Sequence, residues 1–161
     1  MVDERLVPIE DEESNFRLIY QVLNPIIPKE NLHPYIFDTD NNSYGIKPYE
    51  EEIKQFGGNF DIVLVSAGED GHIASLYPNH PSISDSSEYY IYVHNSPKPP
   101  AIRMSASKNM ILRSKIGIVL FYGEIKKEAY LNFLNKKLDY TYCPAKLISE
   151  ISESHIITDL K

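Results

Sequence analysis

Apolar and polar positions along this chain alternate between helical and strand-like periods. From Glu12 to Leu23, Phe16, Ile19, Tyr20 and Leu23 recur at helical spacing, with Ser14 near the start and Pro25 and Pro28 beyond the end, which predicts a helix. Residues 29–45 lose that period around Asp38-Thr39-Asp40-Asn41-Asn42 and read as a loop. Lys47 to Phe56 sets Tyr49, Ile53 and Phe56 on one helical face, with Gly57-Gly58 as terminator. Ile62 to Val65 is a short apolar strand that runs into a Gly-containing turn, and Ile73 to Leu76 is either the start of a helix or a packed hydrophobic turn. After a polar loop at 79–88, the pattern predicts strands at Tyr89–His94, Ile102–Ser105 and Ile116–Tyr122. Helices are expected at Ser107–Ser114 and Glu124–Lys136, a last helical piece from Pro144, and a final strand over His155–Thr158. Strands that alternate with helices predict a single α/β domain over residues 1–161, a mainly parallel sheet flanked by helices.

Composition narrows the class. A chain of 161 residues with 42% hydrophobic and 24% charged residues can bury a substantial core and is not of a disordered composition. The formal charge of −7 argues against a general nucleic-acid surface, which needs clustered Lys and Arg, but leaves room for a few local cations around a small anion. Cys143 is the lone cysteine, so no intrachain disulfide forms, and a reducing, cytoplasmic setting is expected. No apolar run reaches membrane-spanning length, and no membrane partner is expected.

Two residues carry the chemistry. The strand at 62–65 delivers Asp70 and His72 together, and the carboxyl ends of strands are where open α/β sheets bind ligands. A carboxylate two residues from an imidazole can orient the ring and fix its tautomer, which makes a general base for neutral pH. Asp38-x-Asp40-x-Asn42 begins like a calcium loop, but Ser43 stands at the turn-glycine position and Tyr49 at the bidentate-glutamate position, so that reading fails. His33, His80, His94 and His155 have no ligand spacing, and no metal site is expected. From the residues alone, Arg5 is an exposed cation beside Asp3 and Glu4, and Lys98 and Lys126 are solvated lysines.

Gly68-Glu69-Asp70-Gly71-His72-Ile73-Ala74-Ser75-Leu76-Tyr77-Pro78 resembles the signature of the 6-phosphogluconolactonases, in the superfamily that includes glucosamine-6-phosphate deaminase. Three further blocks agree in order: Asp3-Glu4-Arg5-Leu6-Val7-Pro8 with Ser14-Asn15, Ser96-Pro97-Lys98-Pro99-Pro100 with Arg103, and Gly123 with Lys126. The resemblance implies cofactor-free, metal-independent hydrolysis of the δ-lactone of 6-phosphogluconate in the oxidative pentose phosphate route. It implies His72, Asp70 and Arg5 as catalytic residues. Lys98, Arg103, Gly68, Gly71 and Lys126 are the implied substrate- or phosphate-binding residues, with Lys98 on the 6-phosphate.

The family carries a strand and a Gly-Gly-Ser-type phosphate loop ahead of its Asp-Glu-Arg block, and this sequence has no such segment. A second chain could supply it, so association with such a partner is an expectation. The alternative reading is an inactive or partner-dependent sugar-phosphate-binding remnant or fragment of a lactonase. A deaminase-like isomerase is more distant, because Ser75-Leu76-Tyr77-Pro78, Arg5 and Pro97–Pro100 all follow the lactonase pattern, with Ile73 alone leaning the other way.

Overall fold

Two three-stranded sheets form the frame of the molecule, and the computed structural model describes all residues, 1–161. In one sheet β2 (Ile62–Ser66) and β6 (Glu153–Thr158) run parallel to the central β5 (Ile116–Phe121). In the other, β1 (Asp3–Arg5) and β3 (Tyr90–Val93) flank β4 (Arg103–Ala106), and both pairings are antiparallel. The α/β expectation therefore holds, and the expected single, mainly parallel sheet becomes one parallel and one antiparallel sheet. The connection from β3 to β4 is a proline-rich hairpin closed by Ser96 N–H donating to the Ala101 carbonyl at 3.0 Å, too short a crossover for a parallel pair.

Helices α1 (Asn15–Leu23), α2 (Ile46–Gln55), α4 (Lys108–Leu112) and α5 (Lys127–Leu134) lie where the periodicity puts them, α2 one residue earlier and the others with shorter ends. The segment expected as one helix over 124–136 opens instead with a 3₁₀ turn at Glu124–Lys126, and the piece after Pro144 is 3₁₀ throughout Pro144–Glu150. The polar loop contains a four-residue helix, α3 (Pro81–Ser84), started by Pro81 and by the His80 ring accepting the Ser82 N–H at 3.1 Å. Ile73–Leu76 is the packed turn: both residues are fully buried and bridge each other, and Ala74 takes a left-handed φ of 50°. No helix is long and apolar enough to cross a membrane.

The core gathers Val63 and Val65 of β2, Val119 and Phe121 of β5, Met104 and Ala106 of β4, and the Ile73–Tyr77 turn. On the opposite face β2 is bare: Ile62 and Leu64 are 57% and 56% exposed, unusual for a parallel strand. Gly117 lets the 3₁₀ segment lie on β5, since a Cβ there would sit 2.7 Å from Ile151 and 2.9 Å from Ile148.

Strand β1, which periodicity did not reveal, is anchored by a buried carboxylate. Glu4 is 2% exposed. Its Oε1 accepts the N–H groups of Asn15 (2.7 Å) and Arg5 (2.8 Å), and its Oε2 accepts Phe16 N–H (2.8 Å) and the Ser14 hydroxyl (3.0 Å). Ser14 in turn caps α1 by accepting from Arg17 N–H at 3.2 Å. The anion thus meets the unpaired amides and positive end of the helix. Glu4→Ala strands these donors, and we expect a loss of roughly 3 kcal/mol of stability. Glu4→Gln, which keeps one accepting oxygen, loses less, and urea unfolding ranks the two.

Candidate active site

The site begins at the carboxyl end of β2. Ala67 leaves the strand buried, and residues 68–72 close on themselves through Gly68 N–H to the His72 carbonyl (2.7 Å) and Gly71 N–H to the Gly68 carbonyl (3.0 Å). Within this loop His72 Nδ1 lies 2.5 Å from Asp70 Oδ1, and the same oxygen accepts the His72 backbone N–H at 3.1 Å. Burial pushes the Asp70 carboxyl up, but its hydrogen bonds from His72, the His72 charge and the Lys98 charge outweigh that and hold its pKa at about 2. An ionised Asp70 at Nδ1 keeps the proton there and leaves Nε2 as the free nitrogen. The imidazole also packs on Tyr77, ring centroids 4.8 Å apart.

Gly68 makes this placement possible. A Cβ on Gly68 would lie 2.0 Å from the His72 ring, so only glycine lets the imidazole rest against the turn. Gly71 does a different job. Its φ of 85° belongs to the left-handed region, and its position faces Cys143 Sγ at 2.8 Å from a notional Cβ, on the core side of the loop.

His72 lines a cavity of about 550 Å³ whose walls also carry Asp3, Arg5, Lys98, Arg103, Lys126 and Gly68. Of the residues expected at the site, Asp70 stands behind the imidazole and Gly71 packs away from the cavity. Strand alternation sends Asp3 and Arg5 to the cavity side of β1, opposite Glu4. Arg5 and Arg103 then face each other across the β1–β4 ladder, a like-charge pairing that an anion between them would relieve. Arg5 Nη1 donates to the Glu13 carbonyl at 2.5 Å, while its buried Nε has no partner.

Arg103, only 5% exposed, is spent on the proline loop: Nη2 donates to the carbonyls of Pro99 (2.8 Å) and Lys98 (3.2 Å), and Nε to that of Pro100 (3.1 Å). It therefore fixes the backbone that presents Lys98. The Ser96 hydroxyl, which accepts Lys98 N–H at 3.1 Å, lies 2.9 Å from the Tyr77 hydroxyl, so the loop is coupled to the ring against His72. Lys98 Nζ itself makes no hydrogen bond or ion pair. Lys126 reaches from the turn after β5 to the end of β2, where Nζ donates to the Ala67 carbonyl at 2.6 Å. The carboxyl ends of two parallel strands thus converge on one cavity. Asp3, Asn15 and Tyr77 belong to this site and were not among the expected residues. Asp3 and Asn15 stand in the quoted Asp-Glu-Arg block, which was the available signal.

A family profile described as glucosamine-6-phosphate isomerases/6-phosphogluconolactonase matches residues 1–157. The chain belongs to that family. Among its relatives, the 6-phosphogluconolactonase of Borreliella burgdorferi is 35% identical over all of this chain and 71% of its own length. The human endoplasmic bifunctional protein GDH/6PGL is 39% identical over 80% of this chain, a stretch that makes up 17% of the human protein. The solved 6-phosphogluconolactonase of Thermotoga maritima superposes with a TM-score of 0.81 at 26% identity, covering 98% of this chain and 69% of that one. The members' shared fold agrees with the two-sheet frame described above.

The two loop glycines separate by experiment. Gly68→Ala is expected to displace the imidazole, shifting the His72 ring resonances in NMR spectra and costing about 1 kcal/mol as its Asp70 hydrogen bond and Tyr77 packing are disturbed. Gly71→Ala is expected to leave those resonances in place and cost about 1–3 kcal/mol in urea unfolding, from left-handed strain and the Cys143 contact.

Proposed function

We propose that this chain hydrolyses 6-phosphoglucono-δ-lactone to 6-phosphogluconate, with His72 as general base on water. The observation that carries this reading is the 2.5 Å Asp70–His72 contact placed at a cavity lined by cations. The resemblance to 6-phosphogluconolactonases supplies the substrate class.

In this mechanism a water oxygen bonds to C1 of the lactone as its proton passes to His72. Asp70, ionised, stabilises the imidazolium that forms. The C1 oxygen becomes an oxyanion, and the unpaired Nε of Arg5 is the donor suited to it. Collapse breaks the bond between C1 and the ring oxygen, and that oxygen takes the proton back from His72. Lys98 meets the 6-phosphate, held in place by Arg103, with Lys126 and the Gly68 turn as further binding elements. The chemistry needs no metal and no cofactor, and the setting is the oxidative pentose phosphate route in the cytoplasm.

A second reading has one observation behind it. The outer edge of β2 is unpaired and its Ile62 and Leu64 are more than half exposed, so a partner-dependent or inactive sugar-phosphate binder is the rival function. The relatives lend no support to a separate partner chain.

Hydrolysis of freshly generated lactone, measured above its spontaneous background, tests both. Acceleration is expected from the chain alone, and His72→Asn should lower kcat by about 100- to 10,000-fold while binding of 6-phosphogluconate persists. Folded protein that binds 6-phosphogluconate without acceleration would establish the rival. The pH profile carries its own sign: with Asp70 at a pKa of about 2, the carboxylate is ionised wherever an imidazole titrates. No step from Asp70 is therefore expected in the activity profile above about pH 4, and a carboxylate step there would break the assignment of Asp70.

A further inference from the structure

A cation-lined cavity meets only part of what a sugar phosphate presents. Arg5, Arg103, Lys98 and Lys126 are donors without acceptor capacity, suited to phosphate and carbonyl oxygens. Sugar hydroxyls also donate, and each O–H taken from water into a site needs an acceptor. The carboxylates on the cavity wall are Asp3 and Glu69. Glu69 is exposed at the tip of the His72 loop and makes no side-chain contact that would hold it. Asp3 is half-buried and fixed.

Its fixing points come from three elements. Oδ2 of Asp3 accepts the hydroxyl of the fully buried Ser75 at 2.9 Å, and Oδ1 lies 3.4 Å from the Asn15 amide nitrogen. Ser75 is itself held by its N–H donating to Ser105 Oγ at 3.1 Å, and Ser105 stands opposite Asp3 in the β1–β4 register. Each carboxylate oxygen keeps a further lone pair. Burial pushes the Asp3 carboxyl above the ordinary range, opposed by the Ser75 hydrogen bond and the charges of Arg103 and Arg5. Such an acceptor gains most when a donor replaces the water it has lost.

We propose that Asp3 is the specificity-determining acceptor of this cavity, taking a hydrogen bond from one hydroxyl along the sugar backbone of the substrate. This assignment rests on the lactonase reading for its substrate and adds a residue that discriminates between sugars. It explains why the first block of the site carries an acid as well as Arg5 on the same face of β1.

The test compares 6-phosphogluconate with its 2-, 3- and 4-deoxy analogues by calorimetry, alongside turnover of the corresponding lactones. The parent chain should bind one deoxy analogue about 10- to 100-fold more weakly than the hydroxylated ligand. Asp3→Ala should erase that one preference and leave the other ratios unchanged. Asp3→Asn keeps an acceptor for Ser75, guards against a variant that fails to fold, and should retain an intermediate preference. A merely structural Asp3 would weaken every ligand alike. The proposal is overturned if the ratios survive in both variants, or if the parent ignores all three hydroxyls. Binding preference without turnover would sink the lactonase reading and leave the acceptor role standing, so the two failures are distinct.

Discussion

The Glu4 carboxylate lies under the first turn of α1, where it accepts two helix amides, the Ser14 hydroxyl and the Arg5 amide. Taking an anion out of water costs several kcal/mol, so Glu4 can turn inward only with those donors gathered around it. Once it does, a strand as short as β1 has no freedom left. Its neighbours Asp3 and Arg5 must project to the other face, and that face is the cavity wall. The packing of α1 on β1 and the placement of two polar site residues are thus one event, decided by a single side chain that never touches the cavity.

The imidazole is held by a comparable economy. Gly68 removes the one atom that would occupy the ring's place, Asp70 fixes its nitrogen, and Tyr77 backs its face. Tyr77 also meets Ser96, which is tied to the backbone of Lys98, and Arg103 holds three carbonyls of the same loop. The imidazole and Lys98 are therefore joined through one ring contact and a short chain of hydrogen bonds. Displacing the proline loop would disturb the ring against which His72 rests. Such support fixes the Lys98 loop relative to the imidazole, as the proposed hydrolysis requires.

Periodicity made the helices and the longer strands legible through their buried positions: Phe16 in α1, Ala129 and Phe133 in α5, Val63 and Val65 in β2, Val119 and Phe121 in β5. The Asp70–His72 pair was readable because a single residue, Gly71, separates them in one turn. Strand β1 was not, since three charged residues in a row look like a solvated surface and most of the donors that let Glu4 be buried lie ten to twelve residues away. The division into two sheets was hidden for a related reason: it depends on β1 pairing with β4 a hundred residues later. Asp3 went unnoticed with it, because the face a side chain takes cannot be known before its strand is. Lys126 and Arg103 were found through the resemblance, while their division of labour, one bridging strand ends and one fastening a loop, is a matter of reach.

Charge distribution finally separates what the fold permits from what the site favours. A fold shared across a superfamily does not fix the chemistry, and an oriented imidazole at a strand end could serve more than one reaction. The chain as a whole carries −7, yet four cationic side chains line one cavity, and two of them face each other across a ladder. Like charges opposed in that way weaken a sheet unless an anion comes between them. Asp3, whose carboxyl feels both guanidinium charges, offsets part of that repulsion, and under the proposed function a bound phosphate or oxyanion offsets the rest. Arg5 expresses this most directly: its Nη1 is anchored to a backbone carbonyl, leaving a buried Nε with nothing to donate to. A buried donor without an acceptor costs stability in the empty protein. An oxyanion brought within reach of that nitrogen would satisfy it, which is the ground for proposing Arg5 as the oxyanion donor.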